Sequence, residues 1–386
     1  MGSHFSQRRK MWLSILSAAG IGLVGCADTD VGDETTRGTS TETGTEAEPL
    51  AQQFDPAFPR TTQDLPVTVR GTGKATIRLV TVDNPKAPAQ AVTILDVHGL
   101  GNTGRVFDPL TYALYNDESQ GVRVKRVITL DMIGHGGSSL PTNLPRGVNF
   151  GALTVDDNVD VLRQVIEALR AQSSAPQFLV GHSAGALTIA ALQEKLLAQG
   201  SSLQKLGVVI ALFIAPIPST GRPWTPPSSS EVNKITPYVK VETNGRGIFI
   251  DLPPAQWLQA SFTDRTGALA TNAPTVAQIT AAGYTAIEPI MTAAQVYELV
   301  YPGVPTIKRP SIRAGAFAAA NGTRVAVVGF AQDLLVNPSD ARDFYRHLSG
   351  DATDKSFLTI DFPDAVHNMT IVNPSRVITA QKVLFP

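Results

Sequence analysis

Gln177-Phe178-Leu179-Val180-Gly181-His182-Ser183-Ala184-Gly185 decides the fold, because an apolar run gives way at once to a tight turn and then to a helical pattern. Residues 177–181 read as a buried strand, and residues 184–199 as a helix stopped at Gly200. Between them, Gly181 to Gly185 has the form G-x-S-x-G. In so tight a turn, a bulky residue two positions from the serine would strike neighbouring backbone, hence the glycines. The turn exposes the Ser183 hydroxyl above the sheet, with the helix N-terminus facing it. Free N–H groups and a partial positive charge at that end favour a developing anion. The plainer alternative is a Gly-Ser turn that merely caps a helix. His182 reads as structural, since the residue before the serine points away from the active face.

Working outward, strand and helix alternate. Residues 65–70 and 76–82 are β-branched runs around Gly71-Thr72-Gly73-Lys74 and read as an antiparallel hairpin. Residues 91–97 form a buried strand, 103–115 a helix, 124–131 a strand and 155–171 an amphipathic helix. On that helix Val159, Leu162, Val165, Ile166 and Leu169 share one face. Residues 206–215 are a strong apolar strand. This alternation implies an α/β fold: a mostly parallel central sheet flanked by helices, with ligands at the carboxyl ends of the strands. The regular pattern stops over residues 219–321, which are Pro-rich and contain Ile248-Phe249-Ile250, Trp257, Phe262 and a helix expected over 292–300. That length is too great for a loop and reads as a cap inserted between the sixth and seventh core strands. The core is thus divided into residues 65–218 and 322–386. In its second part, residues 324–329 and 356–360 read as strands, 339–347 as a helix, and a last helix starts near Pro374.

A serine hydroxyl becomes a useful nucleophile only beside a base that a third group holds in place. His367 lies in the loop after the last expected strand, whereas His347 falls within a helix, so His367 is the candidate base. Asp333 follows the strand ending at Gly329 and is the candidate acid. The alternative acid position, after the preceding strand, offers Ala215-Pro216-Ile217-Pro218 and no carboxylate. Asp340 could serve instead, although it reads as a first-turn carboxylate behind Asn337-Pro338. Asp361 and Asp364 read as surface residues.

The chain order Ser183, Asp333, His367, with the elbow before them, resembles the α/β-hydrolase superfamily. His98-Gly99-Leu100-Gly101-Asn102 at the end of strand 91–97 is similar to that family's His-Gly strand end. The resemblance implies that an oxyanion is held by the backbone N–H groups of Leu100 and Ala184, while His98 shapes the loop. A single residue follows His-Gly where some members carry H-G-G-G, which makes a tertiary-alcohol esterase a poorer match. Asp131-Met132-Ile133-Gly134-His135-Gly136-Gly137-Ser138 resembles the recurring D-x-x-G-x-G-x-S turn, with Asp131 and His135 structural. The resemblance implies a serine hydrolase acting on a carboxylic ester through an acyl-enzyme, without a cofactor, and the apolar residues of the cap suggest a moderately hydrophobic ester. The same machinery could act on a lactone, amide, thioester or C–C bond. A non-catalytic lipid-anchored binding protein on a hydrolase scaffold is the alternative of another class.

The N-terminus carries a different message. Arg8, Arg9 and Lys10 precede an apolar run over residues 11–24, about the length of a signal-peptide core and short of the roughly twenty residues of a membrane span. Leu23-Val24-Gly25-Cys26 resembles the lipobox of bacterial lipoproteins, which implies a signal peptide over 1–25 and lipidation of Cys26. A plain secretory signal or an uncleaved anchor are the alternatives. Residues 26–64 read as a Thr-rich, acidic tether, so the expectation is an exported, cell-envelope protein held to a membrane through Cys26. Cys26 is the single cysteine among 386 residues, which excludes an intrachain disulfide. The net charge of −1 gives no basic field for nucleic acid. The six histidines make no metal-ligand pairing such as H-E-x-x-H. No protein partner can be inferred from the sequence.

Overall fold

The computed structural model describes residues 57–142, 153–224, 236–241, 248–286, 288–289, 309–350, 357–360 and 364–382. The expected signal peptide, Cys26, most of the tether and the helix expected over 292–300 lie outside the described residues. The first strands are β1 (Arg60–Val69), β2 (Gly73–Asp83), β3 (Val92–Val97), β4 (Val124–Leu130), β5 (Phe178–His182) and β6 (Ile210–Ile214). Within the insertion come β7 (Val239–Val241), β8 (Ile248–Ile250) and β9 (Glu288–Pro289), and after it β10 (Arg324–Phe330) and β11 (Phe357–Ile360). The main sheet has eight strands in the order β1-β2-β4-β3-β5-β6-β10-β11, and β7, β8 and β9 form a small separate sheet. β1–β2 and β2–β4 pair antiparallel, and every pair from β4–β3 to β10–β11 is parallel. This is the mostly parallel sheet flanked by helices that the alternation implied.

Helices α1 (Asp108–Asn116), α2 (Val155–Ala171), α3 (Ala184–Ala198), α4 (Pro254–Phe262), α5 (Val276–Ala282), α6 (Pro338–Ser349), α7 (Met369–Val372) and α8 (Pro374–Lys382) complete it. The pleat of the parallel strands separates two cores. Leu95, Leu179, Phe213 and Val327 face the helices α2, α3 and α6, while Ile94, Val180, Leu212 and Val328 face α1, α8 and the insertion's Trp257, Phe262 and Tyr284. The apolar face of α2 is fully enclosed, and burial of each such Val, Leu or Ile contributes about 1.5–3 kcal/mol. Its start is fixed by a capping box: Thr154 Oγ1 accepts from Asp157 N–H at 3.3 Å, and Asp157 Oδ2 accepts from Thr154 N–H at 2.8 Å.

Several boundaries differ from the sequence reading: the helix expected from 103 starts at Asp108 behind a 3₁₀ turn over Gly104–Phe107, and β2 starts at Gly73 rather than 76. Strand β1 starts at Arg60 rather than Leu65, and Phe58 before it is buried against Tyr112 and Tyr115, with ring centroids 6.3 and 5.0 Å apart. Pairing of Arg60 with Val82 and of its neighbours along β2 extends the ladder into what reads as a tether. Strand β6 starts at Ile210 rather than 206, because Gly207 at φ 97° closes a 3₁₀ turn over Gln204–Leu206. Chain order reverses between β3 and β5, so the crevice beyond their carboxyl ends is the fold's switch point.

Candidate active site

The elbow stands at that switch point. Ser183 has φ 53° and ψ −117°, a strained conformation for a residue with a Cβ. Such strain costs on the order of 1–3 kcal/mol and persists only where surrounding bonds over-determine it. Ser183 N–H donates to Ile214 O at 2.8 Å, and Ser183 O accepts from Ala186 N–H at 3.1 Å. A Cβ at Gly181 would lie 2.6 Å from Ala186 Cα, and one at Gly185 would lie 2.1 Å from Val97 O, so both glycines are sterically required. The Ser183 side chain makes no cap hydrogen bond to α3, which removes the helix-cap alternative.

The base and acid candidates are joined. Asp333, fully buried in the loop after β10, accepts from His367 Nδ1–H through Oδ2 at 2.8 Å. Its Oδ1 accepts from Leu335 N–H at 2.7 Å and Val336 N–H at 3.0 Å. A carboxylate acceptor at Nδ1 puts the imidazole proton there and leaves Nε2 with its basic lone pair. Gln332 N–H donates to Ala365 O at 3.1 Å, tying the two loops together. The rival carboxylates are occupied differently. Asp340 lies in the first turn of α6, behind the Asn337 cap, and Asp364 pairs with Arg376. Asp361 lies outside the described residues. His347 Nε2–H donates to Ile312 O at 2.7 Å, in keeping with a helix position remote from the chemistry.

His182 is completely buried beside the candidate base His367. Its Nε2–H donates to the main-chain carbonyl of His367 at 3.0 Å, and the two rings lie 4.7 Å apart. Burial above all, then the neighbouring His367, pushes the His182 imidazole well below the usual histidine range.

Leu100 and Ala184 line one small cavity with His98, Gly99 and Asn158, of about 10 Å³. His98 Nε2 accepts from Met132 N–H at 2.9 Å, so the proton is on Nδ1, which donates to Gly99 O at 2.9 Å. That fixed neutral tautomer makes His98 a loop brace. The Asp131 turn is structural as expected. Asp131 Oδ1 accepts from Gly104 N–H and Oδ2 from Gly137 N–H, both at 2.8 Å, and a Cβ at Gly136 would fall 2.3 Å from Oδ2.

Sequence reasoning missed the insertion's hold on these loops. Trp257 Nε1–H donates to Asn102 Oδ1 at 2.8 Å, and Tyr284 O accepts from Thr103 N–H at 3.0 Å. Arg265 donates to Ala331 O at 3.1 Å and Asp333 O at 3.0 Å. Trp257 packs edge-on against Phe262 at 5.2 Å and is buried, so it belongs to a core and an anchor rather than to a substrate wall. Among the described residues, no group of three or more His, Cys, Asp or Glu is arranged to hold a metal ion.

A sequence model of the alpha/beta hydrolase family matches residues 97–377, and the chain belongs to that family. Among solved structures it is similar to naproxen esterase (carboxylesterase NP) from Bacillus subtilis, at 14% identity and TM-score 0.51, over 90% of this chain and 100% of that one. It is also similar to carboxylesterase CesB (YbfK) from Bacillus subtilis, at 14% identity and TM-score 0.50, over 84% of this chain and 90% of that one. At such identities the likeness is one of fold. No curated protein matches the sequence.

Proposed function

We propose that the protein is a serine hydrolase that cleaves carboxylic esters, with Ser183 as nucleophile, His367 as base and Asp333 as the carboxylate behind it. The observation that carries the reading is the 2.8 Å bond from His367 Nδ1 to a wholly buried carboxylate, which keeps Nε2 basic. The fold hosts many chemistries, so the reading rests on the site and not on the architecture.

His367 Nε2 takes the Ser183 proton as Oγ bonds to the ester carbonyl carbon, and the carbonyl oxygen becomes an oxyanion held by the N–H groups of Leu100 and Ala184. Collapse breaks the ester C–O bond, and the departing alkoxide takes the proton from His367. Water then attacks the acyl-enzyme and gives a proton to His367. The bond to Oγ breaks, Ser183 regains that proton, and the carboxylic acid leaves. A moderately hydrophobic ester is proposed from the sequence alone. Export and anchoring at Cys26 are proposed from the signal-like segment alone.

A panel of p-nitrophenyl esters of graded acyl length, with lactone, amide and thioester counterparts, tests the reading. Ser183→Ala should lose at least about 10⁴-fold in kcat. A fluorophosphonate should label the native chain on Ser183. Absence of any Ser183-dependent hydrolysis would instead favour a binding protein on this scaffold, and preference for a lactone, amide or thioester would reassign the bond.

A further inference from the structure

We propose that His182, inside the G-x-S-x-G turn, is a positioning residue that holds the base His367 by its main chain; this rests on the triad reading above. Three observations meet at this ring. Its Nε2–H donates to His367 O at 3.0 Å, across 185 positions of sequence. The two imidazoles lie 4.7 Å apart with planes tilted by 55°. The opposite edge faces the oxyanion loop, where a Cβ built on Gly99 would come within 3.1 Å of His182 Nδ1 and 2.8 Å of Ser183 Cβ. One side chain therefore spans the gap between the oxyanion loop and the base, and it belongs to the residue adjoining the nucleophile.

Chain geometry explains why this position can do so. Successive side chains along β5 alternate in face, so His182 follows Val180 onto the side where Ala365, Val366 and Met369 are packed. The loop that carries His367 lies on that face, and a donor at the end of β5 reaches its main chain. The protonation state suits the task. Nε2 must carry the proton to donate to a carbonyl, and Nδ1 is buried with no hydrogen-bond partner among the described residues. A second proton on Nδ1 would be a buried N–H without an acceptor, beside His367 and His98. The ring stays neutral, so the imidazolium that His367 becomes during acyl transfer meets an uncharged neighbour. The site thus gains a fixed base without a competing cation.

The test uses His182→Leu, which keeps apolar bulk and removes the donor, and His182→Gln, whose amide reaches a similar distance and restores it. The Leu variant should lose on the order of tenfold in kcat/KM, in kcat and not in KM, while the Gln variant stays within about threefold of the native protein. A second readout is the downfield NMR resonance of the proton between His367 and Asp333, which should shift or broaden in the Leu variant and persist in the Gln variant. That resonance belongs to the resting protein and is independent of Ser183, so it reports on His182 even if Ser183→Ala proves active. Native kcat/KM with an unchanged resonance in the Leu variant would overturn the proposal. So would an equal loss in both variants, which would mean that the ring only fills space. If the Leu variant does not fold, the Gln variant decides alone: retention supports the donor role and loss overturns it.

Discussion

Replacing Asp333 by Asn should lower kcat by about four orders of magnitude in a chain that still folds, and the cause lies in how its two oxygens are used. Oδ1 already accepts two backbone N–H groups, from Leu335 at 2.7 Å and Val336 at 3.0 Å, while Oδ2 faces His367 Nδ1 at 2.8 Å. The Asn carbonyl must take the place of Oδ1. The reverse orientation would set an NH₂ group against two N–H donors and leave both unpartnered, at about 1–3 kcal/mol each, or roughly 2–6 kcal/mol together. The amide NH₂ therefore faces His367 Nδ1, which can only accept. The imidazole proton moves to Nε2, and in the proposed triad the base can then no longer take the Ser183 proton. A carboxamide in a Ser-His-Asp triad lowers turnover by about 10⁴-fold through this wrong tautomer, about 5.5 kcal/mol. Steady-state hydrolysis of a p-nitrophenyl ester gives kcat, and ¹⁵N NMR of the His367 ring gives the tautomer. Turnover within about tenfold of native would refute the reasoning, and so would a folded variant that keeps the proton on Nδ1.

Two further outcomes are expected. Asp96 sits buried in β3 with no hydrogen bond to its carboxyl among the described residues; burial first, and then Asp108, pushes it well above the usual carboxylate range. Above about pH 4 the unfolded chain ionises this group while the folded chain keeps it protonated, so the native state loses stability as pH rises, by up to about 1.4 kcal/mol per pH unit, until the folded pKa is passed. Asp96→Asn cannot titrate, so its stability relative to native in urea should grow with pH from 4 upward, and a flat difference would exclude the effect. In a bacterial host, the full chain should incorporate labelled palmitate and partition into detergent, whereas Cys26→Ser should do neither; equal labelling of both would sink the anchor at Cys26.

The parts of the site that could be read from the sequence are those encoded by local period and punctuation. A run of apolar residues ending in Gly181 and a helical pattern from Ala184 specify the elbow without tertiary information. Asp333 and His367 are legible as candidates because each follows a strand at its carboxyl end, where a parallel sheet collects ligands. Strand β1 was read short because Thr61, Thr62, Gln63 and Asp64 are exposed at the sheet edge and carry no apolar alternation before Leu65. The start of β6 was misjudged because Val208 and Val209 carry strand propensity while Gly207 turns the chain. The bonds from Trp257 to Asn102 and from Arg265 to Asp333 leave no local trace, since such partners meet only after the sheet has formed.

Those long-range bonds bear on how the site keeps its shape. Positive φ occurs at Ser183 and at Ala215, and both residues are pinned: Ser183 N–H bonds to Ile214 O and Ala215 N–H to Val328 O at 2.9 Å. The surrounding loops are held by one stretch of the insertion. Between Pro254 and Ala286 it bonds Asn102 through Trp257, Thr103 through Gly283 and Tyr284, and Gly101 through Ala286 N–H. It also bonds the Asp333 loop through Arg265, and the residue after the base through Ser261 O and Asn368 N–H at 3.2 Å. Each bond contributes only about 0.5–1.5 kcal/mol, but a swing of this stretch would break all of them together. It would also expose Trp257 and Phe262, whose full burial contributes several kcal/mol more. The strained backbone of Ser183, the proposed nucleophile, needs fixed surroundings, and in this structure residues 254–286 bond the loops around it.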